Sequence, residues 1–168
     1  MIALQITDVR GFMAGLLNSD CFDSFLLQEA SIHTYNTFTI DGHQNRSYYT
    51  REELQDPILF PYEYSSWHQM RELVYQLIKG KKTPLFLKII LLLKPEDAYT
   101  LLEANHASGY APNLKSFVVS IRFDQTGLRL TTGTSMLTFL PDKRCDDIWD
   151  EAFLDFLNTK KIDYDLLL

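Results

Sequence analysis

The same succession of structural elements is predicted twice along this 168-residue sequence, and this pattern constrains the fold more than any other feature. A short apolar strand, a helix and a turn-closed hairpin are predicted in the first half at Ile2–Ile6, Asp8–Leu17 and Ser31–Gly42. The same three elements are predicted in the second half at Leu85–Leu93, Pro95–Leu102 and Ser116–Gly127. The helix end and the turn glycine are equally far apart along the chain in both halves. The spacing therefore predicts two related structural units.

Each predicted unit is extended by an amphipathic helix that begins near a tryptophan, Trp67 in the first half and Trp149 in the second. Each half then follows the order β-α-β-β-α, over residues of about 1–83 and 84–161, with residues 162–168 as a tail. Tight hairpins join antiparallel strands, and a chain of this length usually forms one domain. We predict a single α+β domain over the whole chain, with helices packed on a mainly antiparallel sheet built from two pseudo-repeated halves.

Local signals add three expectations about individual elements. Asp41-Gly42 is a hairpin-turn signal because glycine tolerates positive φ, so residues 43–49 are expected to return as the second strand. The nearly continuous apolar run Leu85–Leu93 is typical of a central strand buried on both faces. The acidic and apolar tail, 162–168, is predicted to be an edge strand, with a peptide that docks into the groove of a partner as the alternative.

Composition limits the class of protein. A net charge of −6 argues against a protein that coats nucleic acid without specificity, because phosphate binding requires clustered Lys and Arg. Cys21 and Cys145 are the only cysteines and are predicted to be reduced thiols. The first residues contain no basic or apolar leader, and no apolar run is long enough to span a bilayer. We therefore expect a cytoplasmic protein without membrane contact.

No catalytic or cofactor motif stands out. Residues 80–83, Gly-Lys-Lys-Thr, are similar to part of a phosphate-binding loop, but they follow a helix and precede a strand, the reverse of the P-loop order. A metal held by His33 and His43 across the first hairpin is the minor alternative to two surface histidines. Cys145 has no base partner in the sequence. We therefore assign no catalytic residue, no cofactor and no metal.

A binding surface is the remaining functional hypothesis. Lysines from neighbouring elements would form one basic patch with aromatic residues as stacking surfaces, and separately solvated lysines are the alternative. The candidate residues are Lys79, Lys81, Lys82, Lys88, Lys115, Tyr62, Tyr64, His33 and Tyr35. We predict a non-enzymatic binding module that contacts another protein, or nucleic acid, through a face or an edge of the sheet. The alternatives are a nucleic-acid-associated, clamp-like protein and a small enzyme whose site forms only in three dimensions, and the sequence leaves the oligomeric state open.

Several segments are similar to those of a family of small bacterial proteins of about this length, known as a domain of unknown function. The segments are Ser19–Ala30, Tyr35–Gly42, Lys79–Pro84 and Thr132–Thr134. The resemblance covers the whole chain. It implies no activity, so it assigns no functional residue.

At the level of topology, two tandem strand–helix–hairpin units also resemble the repeated units of DNA sliding clamps. This resemblance concerns the arrangement of elements and does not assign a function. It is the origin of the clamp-like alternative given above.

Overall fold

The computed structural model describes residues 1–58 and 61–167, in which helices are interspersed among the strands. The strands are β1 (Ala3–Ile6), β2 (Phe25–His33), β3 (Thr37–Asp41), β4 (Phe86–Leu93), β5 (Leu114–Asp124), β6 (Gly127–Met136) and β7 (Tyr164–Leu167). The α-helices are α1 (Val9–Asn18), α2 (Arg51–Gln55), α3 (Trp67–Ile78), α4 (Pro95–Ala104) and α5 (Arg144–Thr159). Short 3-10 turns lie at Arg46–Tyr48 and Ser108–Tyr110.

The seven strands form one sheet in the order β3-β2-β4-β5-β6-β1-β7. Each pair of neighbouring strands in this sheet is antiparallel. β3 and β7 are therefore the two edges. The predicted α+β class with a mainly antiparallel sheet is confirmed.

The helices begin at residues that can satisfy their first backbone amides. The side chains of Asp8 and Ser66 each accept a hydrogen bond from the amide three residues further along. Thr50 does the same within a capping box, and Pro95 is the first residue of α4, where a missing N–H is tolerated. Within the described residues, no helix is both long enough and apolar enough to cross a lipid bilayer.

One face of the sheet carries the hydrophobic core. Alternate residues of the strands pack there against the buried sides of α1, α3, α4 and α5 in one continuous cluster. Both tryptophans are buried in this layer. The indole Nε1 of Trp67 donates to the carbonyl of Leu16, and that of Trp149 donates to the carbonyl of Val118, each over 2.9 Å. Buried indoles thus join helix to helix and helix to sheet.

The opposite side of the sheet, called here the open face, does not contribute to this core cluster. Along β4, Leu87, Ile89 and Leu91 are buried, whereas Phe86 and Lys88 on the open face are only half-buried. The prediction that this strand is buried on both faces is therefore wrong over its first half. An apolar run does not require helices on both faces of a strand. On the open face, the neighbouring strands alone cover part of each side chain of β4.

The first hairpin lies earlier in the chain than predicted. β2 and β3 are joined by a turn in which the Thr34 amide donates to the Asn36 carbonyl over 3.0 Å. Gly42 has no positive φ and is buried, and a β-carbon there would lie 1.8 Å from the Leu27 carbonyl oxygen. This glycine is thus required by close packing and not by a turn. Residues 43–49 form no strand but contain a 3-10 turn, so the predicted return strand is wrong.

The order β-α-β-β-α occurs in both halves, with α2 inserted in the first. The strand neighbours do not correspond, because β4 pairs with β5 of its own half whereas three strands separate β1 from β2. The two glycines of the sequence pattern also differ, since Gly127 has φ +113° at the β5–β6 turn and Gly42 does not adopt such a conformation. The pseudo-repeat therefore stays a prediction.

Residues 164–167 of the tail form an edge strand, and Leu168 lies outside the described residues. β7 pairs antiparallel with β1, with Tyr164 opposite Ile6 and Leu167 opposite Ala3. This confirms the edge-strand prediction over the docking peptide.

Candidate functional site

A basic groove lies where α1, the end of α3 and the loop of residues 79–83 meet, and we call it the lysine groove and this loop the lysine loop. The groove has a volume of about 450 Å³. Its apolar lining includes Met13, Leu17, Ile78, Leu87 and Phe123. The cationic residues that line it are Arg10, Lys79, Lys81 and Lys82. The groove therefore combines an apolar floor with a basic rim.

The groove exists because α3 ends sharply beside α1. The Trp67–Leu16 hydrogen bond fixes α3 against α1. The helix ends at Ile78, and Gly80 follows with φ +152°, a conformation that favours glycine. The chain must then turn toward β4, which leaves the lysine loop on the surface.

The basic rim of the groove has no acidic counterpart. All four cationic side chains are exposed, and none forms an ion pair within the described residues. No residue that lines the groove is Asp or Glu, although the chain has a net charge of −6. Because unneutralised charge of one sign in a concavity raises the local concentration of the opposite ion, the groove is complementary in charge to an anionic group.

A second hollow lies on the other side of the lysine loop. It has a volume of about 420 Å³, and Lys79, Lys81 and Lys82 line it as well. Its apolar lining comes from Leu77, Ile78, Leu85 and Tyr35. The lysine loop is thus a basic ridge between two apolar depressions.

A different cationic feature crosses the open face. Lys88 on β4 lies opposite Arg122 on β5, which lies opposite Arg129 on β6, so three basic residues form one row across adjacent strands. Beside the row, the Arg122 guanidinium lies 5.1 Å from the centre of the Phe86 ring. The His33 ring lies 4.9 Å from the same ring. The row therefore has an aromatic neighbour that could stack on a planar ligand.

Acidic side chains already neutralise much of this row. Lys88 Nζ lies 2.8 Å from Glu29 Oε1, and Arg122 Nε lies 3.2 Å from Asp124 Oδ2. Hydrogen bonds from Thr126, and then from Arg122, lower the pKa of Asp124 to about 2, so this carboxyl group is ionised at neutral pH. The open face is thus a weaker anion site than the lysine groove.

The structure separates the nine predicted surface residues into several places. Lys79, Lys81 and Lys82 come together at the lysine loop with Tyr35 in the second hollow. Lys88 and His33 lie on the open face. The predicted single basic patch is therefore divided, and only its central three lysines share a concavity.

The remaining three predicted residues lie apart from both surfaces. The Tyr62 hydroxyl donates to the Glu96 carboxylate, and burial together with this bond raises the pKa of Tyr62 to about 12. The Tyr64 ring contacts His43, with 5.5 Å between ring centres. Lys115 is exposed on β5. These contacts give the two tyrosines local structural partners.

The two histidines of the alternative metal site are not neighbours in the hairpin. His33 lies opposite Thr37, and His43 Nε2 lies 3.1 Å from Glu63 Oε1. The alternative of a facing pair is wrong because the hairpin turns at residues 34–36. Among residues 1–58 and 61–167, no three His, Cys, Asp or Glu residues form a group suited to a metal ion.

Cys145 lines a hollow of about 380 Å³ together with Asp142, Asp146 and Tyr110. Burial raises the pKa of the Cys145 thiol, and the two carboxylates raise it further. The Tyr110 hydroxyl donates to Asp142. Since the thiolate is the reactive form of cysteine, these surroundings oppose a nucleophilic role.

Sequence reasoning missed the α1 side of the groove. Arg10 and Met13 are distant in sequence from the lysine loop, and only the packing of α1 against α3 brings them to it. Phe123, near the end of β5, also lines the groove. Helix periodicity identifies a buried stripe on α1 but does not indicate which element borders its edge.

Comparisons with known proteins agree with the resemblance seen in the sequence. No curated protein and no solved structure matches the chain. Residues 15–165, which extend from within α1 to β7, match the model of DUF5721, a family of unknown function. The chain belongs to this family.

Proposed function

We propose that this protein is a non-enzymatic binding module and that the lysine groove receives an acidic segment of a protein partner. One observation carries the proposal: four cationic residues and no carboxylate line an apolar depression in a chain of net charge −6. A cationic concavity without carboxylates supplies charge complementarity that only an external anion can satisfy.

The apolar floor favours a protein segment over a small inorganic anion. A phosphate site needs convergent backbone or side-chain donors, but the Asp8 side chain already accepts from an amide in the first turn of α1. The groove instead exposes Met13 and Phe123 beneath its cationic rim. Acidic side chains would contact the lysines while apolar neighbours cover the floor.

Ionic strength should affect the rate at which such a complex forms more than its affinity. Exposed ion pairs contribute only about 0.2–1 kcal/mol each, and salt screens them over a Debye length of about 10 Å at 0.1 M. The charged rim therefore governs encounter and orientation. Burial of the floor supplies most of the affinity.

Anilinonaphthalene sulfonate, which is both apolar and anionic, is a suitable first probe. We expect a fluorescence titration to show that the affinity for this probe is several-fold lower in the double variant Lys81→Glu/Lys82→Glu than in the wild type. The control Lys115→Glu/Lys143→Glu makes the same charge change at exposed positions outside the groove and should bind like the wild type. Equal binding by the groove variant and the wild type would overturn the proposal.

A second candidate function, binding of single-stranded nucleic acid, is favoured by the row of Lys88, Arg122 and Arg129 beside Phe86. Cationic side chains would contact phosphates and the ring would stack on a base. The acidic partners of Lys88 and Arg122 weaken this candidate relative to the groove.

Gel-shift titration with an oligothymidylate across salt concentrations tests this second candidate. Binding that falls with rising salt and is lost in the Arg122→Ala/Arg129→Ala variant would support it. Absence of salt-sensitive binding by the wild type would eliminate it.

A further inference from the structure

The lysine loop forms the shared wall of two depressions, and this arrangement restricts the shape of a ligand. The lysine groove has a volume of about 450 Å³ and the second hollow about 420 Å³. Lys79, Lys81 and Lys82 line both. A ligand centred on these lysines therefore has an apolar depression on each side.

We propose that the ligand is an extended linear peptide segment in which acidic residues are flanked on both sides by apolar residues. The acidic residues lie on the lysine loop, one apolar anchor enters the lysine groove and the other enters the second hollow. This inference rests on the proposed function and specifies the chemistry of its partner.

The second hollow supplies the independent argument for a second anchor. Tyr35 and Leu85 line it, and they are 84% and 70% exposed. Large apolar side chains that stay exposed beside one another mark a surface suited to a partner. A ligand confined to the lysine groove would leave both uncovered. A ligand that crosses the loop would cover them.

The sizes of the two depressions fit side-chain anchors. Each falls within the range of about 300–1000 Å³ that is usual for ligand pockets, so each accepts a large apolar side chain with part of its backbone. An extended peptide advances about 3.3 Å per residue, so the number of acidic residues sets how far apart its two apolar anchors lie. A single acyl chain or a compact anion would engage only one side.

Selection from an unbiased peptide library tests the pattern without assuming a partner. A phage library of random dodecamers is selected on the immobilised full-length protein, with Lys81→Glu/Lys82→Glu protein used for counter-selection. We expect enriched peptides to contain adjacent acidic residues with large apolar residues on both sides.

Fluorescence polarisation then measures the affinity of one enriched peptide for each protein variant and shows which residues contact it. Lys81→Glu/Lys82→Glu should weaken binding by about tenfold or more, which corresponds to about 1.4 kcal/mol. Ala14→Glu, at an exposed position that lines only the lysine groove, and Tyr35→Ala/Leu85→Ala, in the second hollow, should each weaken it several-fold. Lys115→Glu/Lys143→Glu should leave it within about twofold.

The outcomes separate this inference from the proposed function. Acidic peptides that lose affinity with the lysine variant but not with Tyr35→Ala/Leu85→Ala would overturn the two-sided ligand and leave the groove proposal standing. No enrichment, or peptides insensitive to Lys81→Glu/Lys82→Glu, would overturn both. Circular dichroism of each variant establishes that a loss of binding is not a loss of fold.

Discussion

The indole of Trp67 satisfies the carbonyl of Leu16, a residue of the last turn of α1, through a 2.9 Å hydrogen bond between Trp67 Nε1 and the Leu16 oxygen. Carbonyls of a last helical turn have no partner within their own helix. Trp67 is fully buried, so water does not replace this donor. The bond therefore fixes the end of α1 against the start of α3, the two helices that border the lysine groove.

Replacing this tryptophan should both lower the stability of the protein and weaken binding in the lysine groove. Trp67→Phe removes the donor and leaves a cavity, at a cost of about 2–4 kcal/mol in the free energy of unfolding. Urea denaturation measures this loss, and the probe titration should show weaker groove binding. Trp149→Phe is the matched control, because Trp149 donates to Val118 on the sheet. It should lose stability while probe binding is retained.

Gly42 and Gly15 should respond oppositely to alanine. A β-carbon at Gly42 would lie 1.8 Å from the Leu27 carbonyl oxygen, whereas nothing lies within 4 Å of one at Gly15. We expect Gly42→Ala to cost about 3 kcal/mol or more. Gly15→Ala, within α1, should add about 0.5–1 kcal/mol. Thermal and urea unfolding measure both, and a Gly42→Ala protein as stable as the wild type would contradict the close approach.

These two glycines show which parts of the fold the sequence could predict. Helix starts depend on local chemistry, and Asp8, Thr50 and Ser66 each cap a helix through their own side chains. The role of Gly42 depends on the backbone of Leu27, which a different strand supplies. A local turn signal therefore placed the hairpin at the wrong residues. The sequence pattern of one segment does not indicate which other elements that segment contacts.

For the candidate site, too, the sequence could identify some residues and not others. The sequence singled out Lys79, Lys81 and Lys82 because they are clustered along the chain. It could not add Arg10, which reaches the lysine groove only through the packing of α1 on α3. It also grouped Lys88 with them, although strand alternation places Lys88 on the open face beside Glu29. Strand parity alone could have predicted that last separation.

Cys145 should react slowly with thiol reagents in the native protein. The residue is 5% exposed, and burial, together with Asp142 and Asp146, raises the pKa of its thiol. Because the thiolate is the reactive form, we expect alkylation by iodoacetamide at pH 8 to be at least about tenfold slower than in urea. Mass spectrometry of peptides distinguishes Cys145 from the less buried Cys21. Faster reaction of Cys145 in the native state would contradict the assignment of an inert thiol.

The ionised carboxylate of Asp124, at the β5–β6 turn, should stabilise the folded protein in a pH-dependent way. Its carboxylate accepts hydrogen bonds from the amide and hydroxyl of Thr126 and lies beside Arg122. These bonds hold the pKa of the carboxyl group at about 2 in the folded protein, against an ordinary value of 3.8. Since the folded value is the lower one, the stabilisation is present above about pH 4 and is lost as the pH falls through about 2.

An NMR titration of the Asp124 carboxyl carbon should give a midpoint near pH 2. The difference in unfolding free energy between the wild type and Asp124→Ala should be largest at pH 6 and shrink toward pH 2. Thr126→Val, which removes the hydroxyl donor but keeps the amide, should move the midpoint upward by part of the shift. A midpoint near the ordinary value of an aspartate in the wild type would show that these hydrogen bonds do not form in solution.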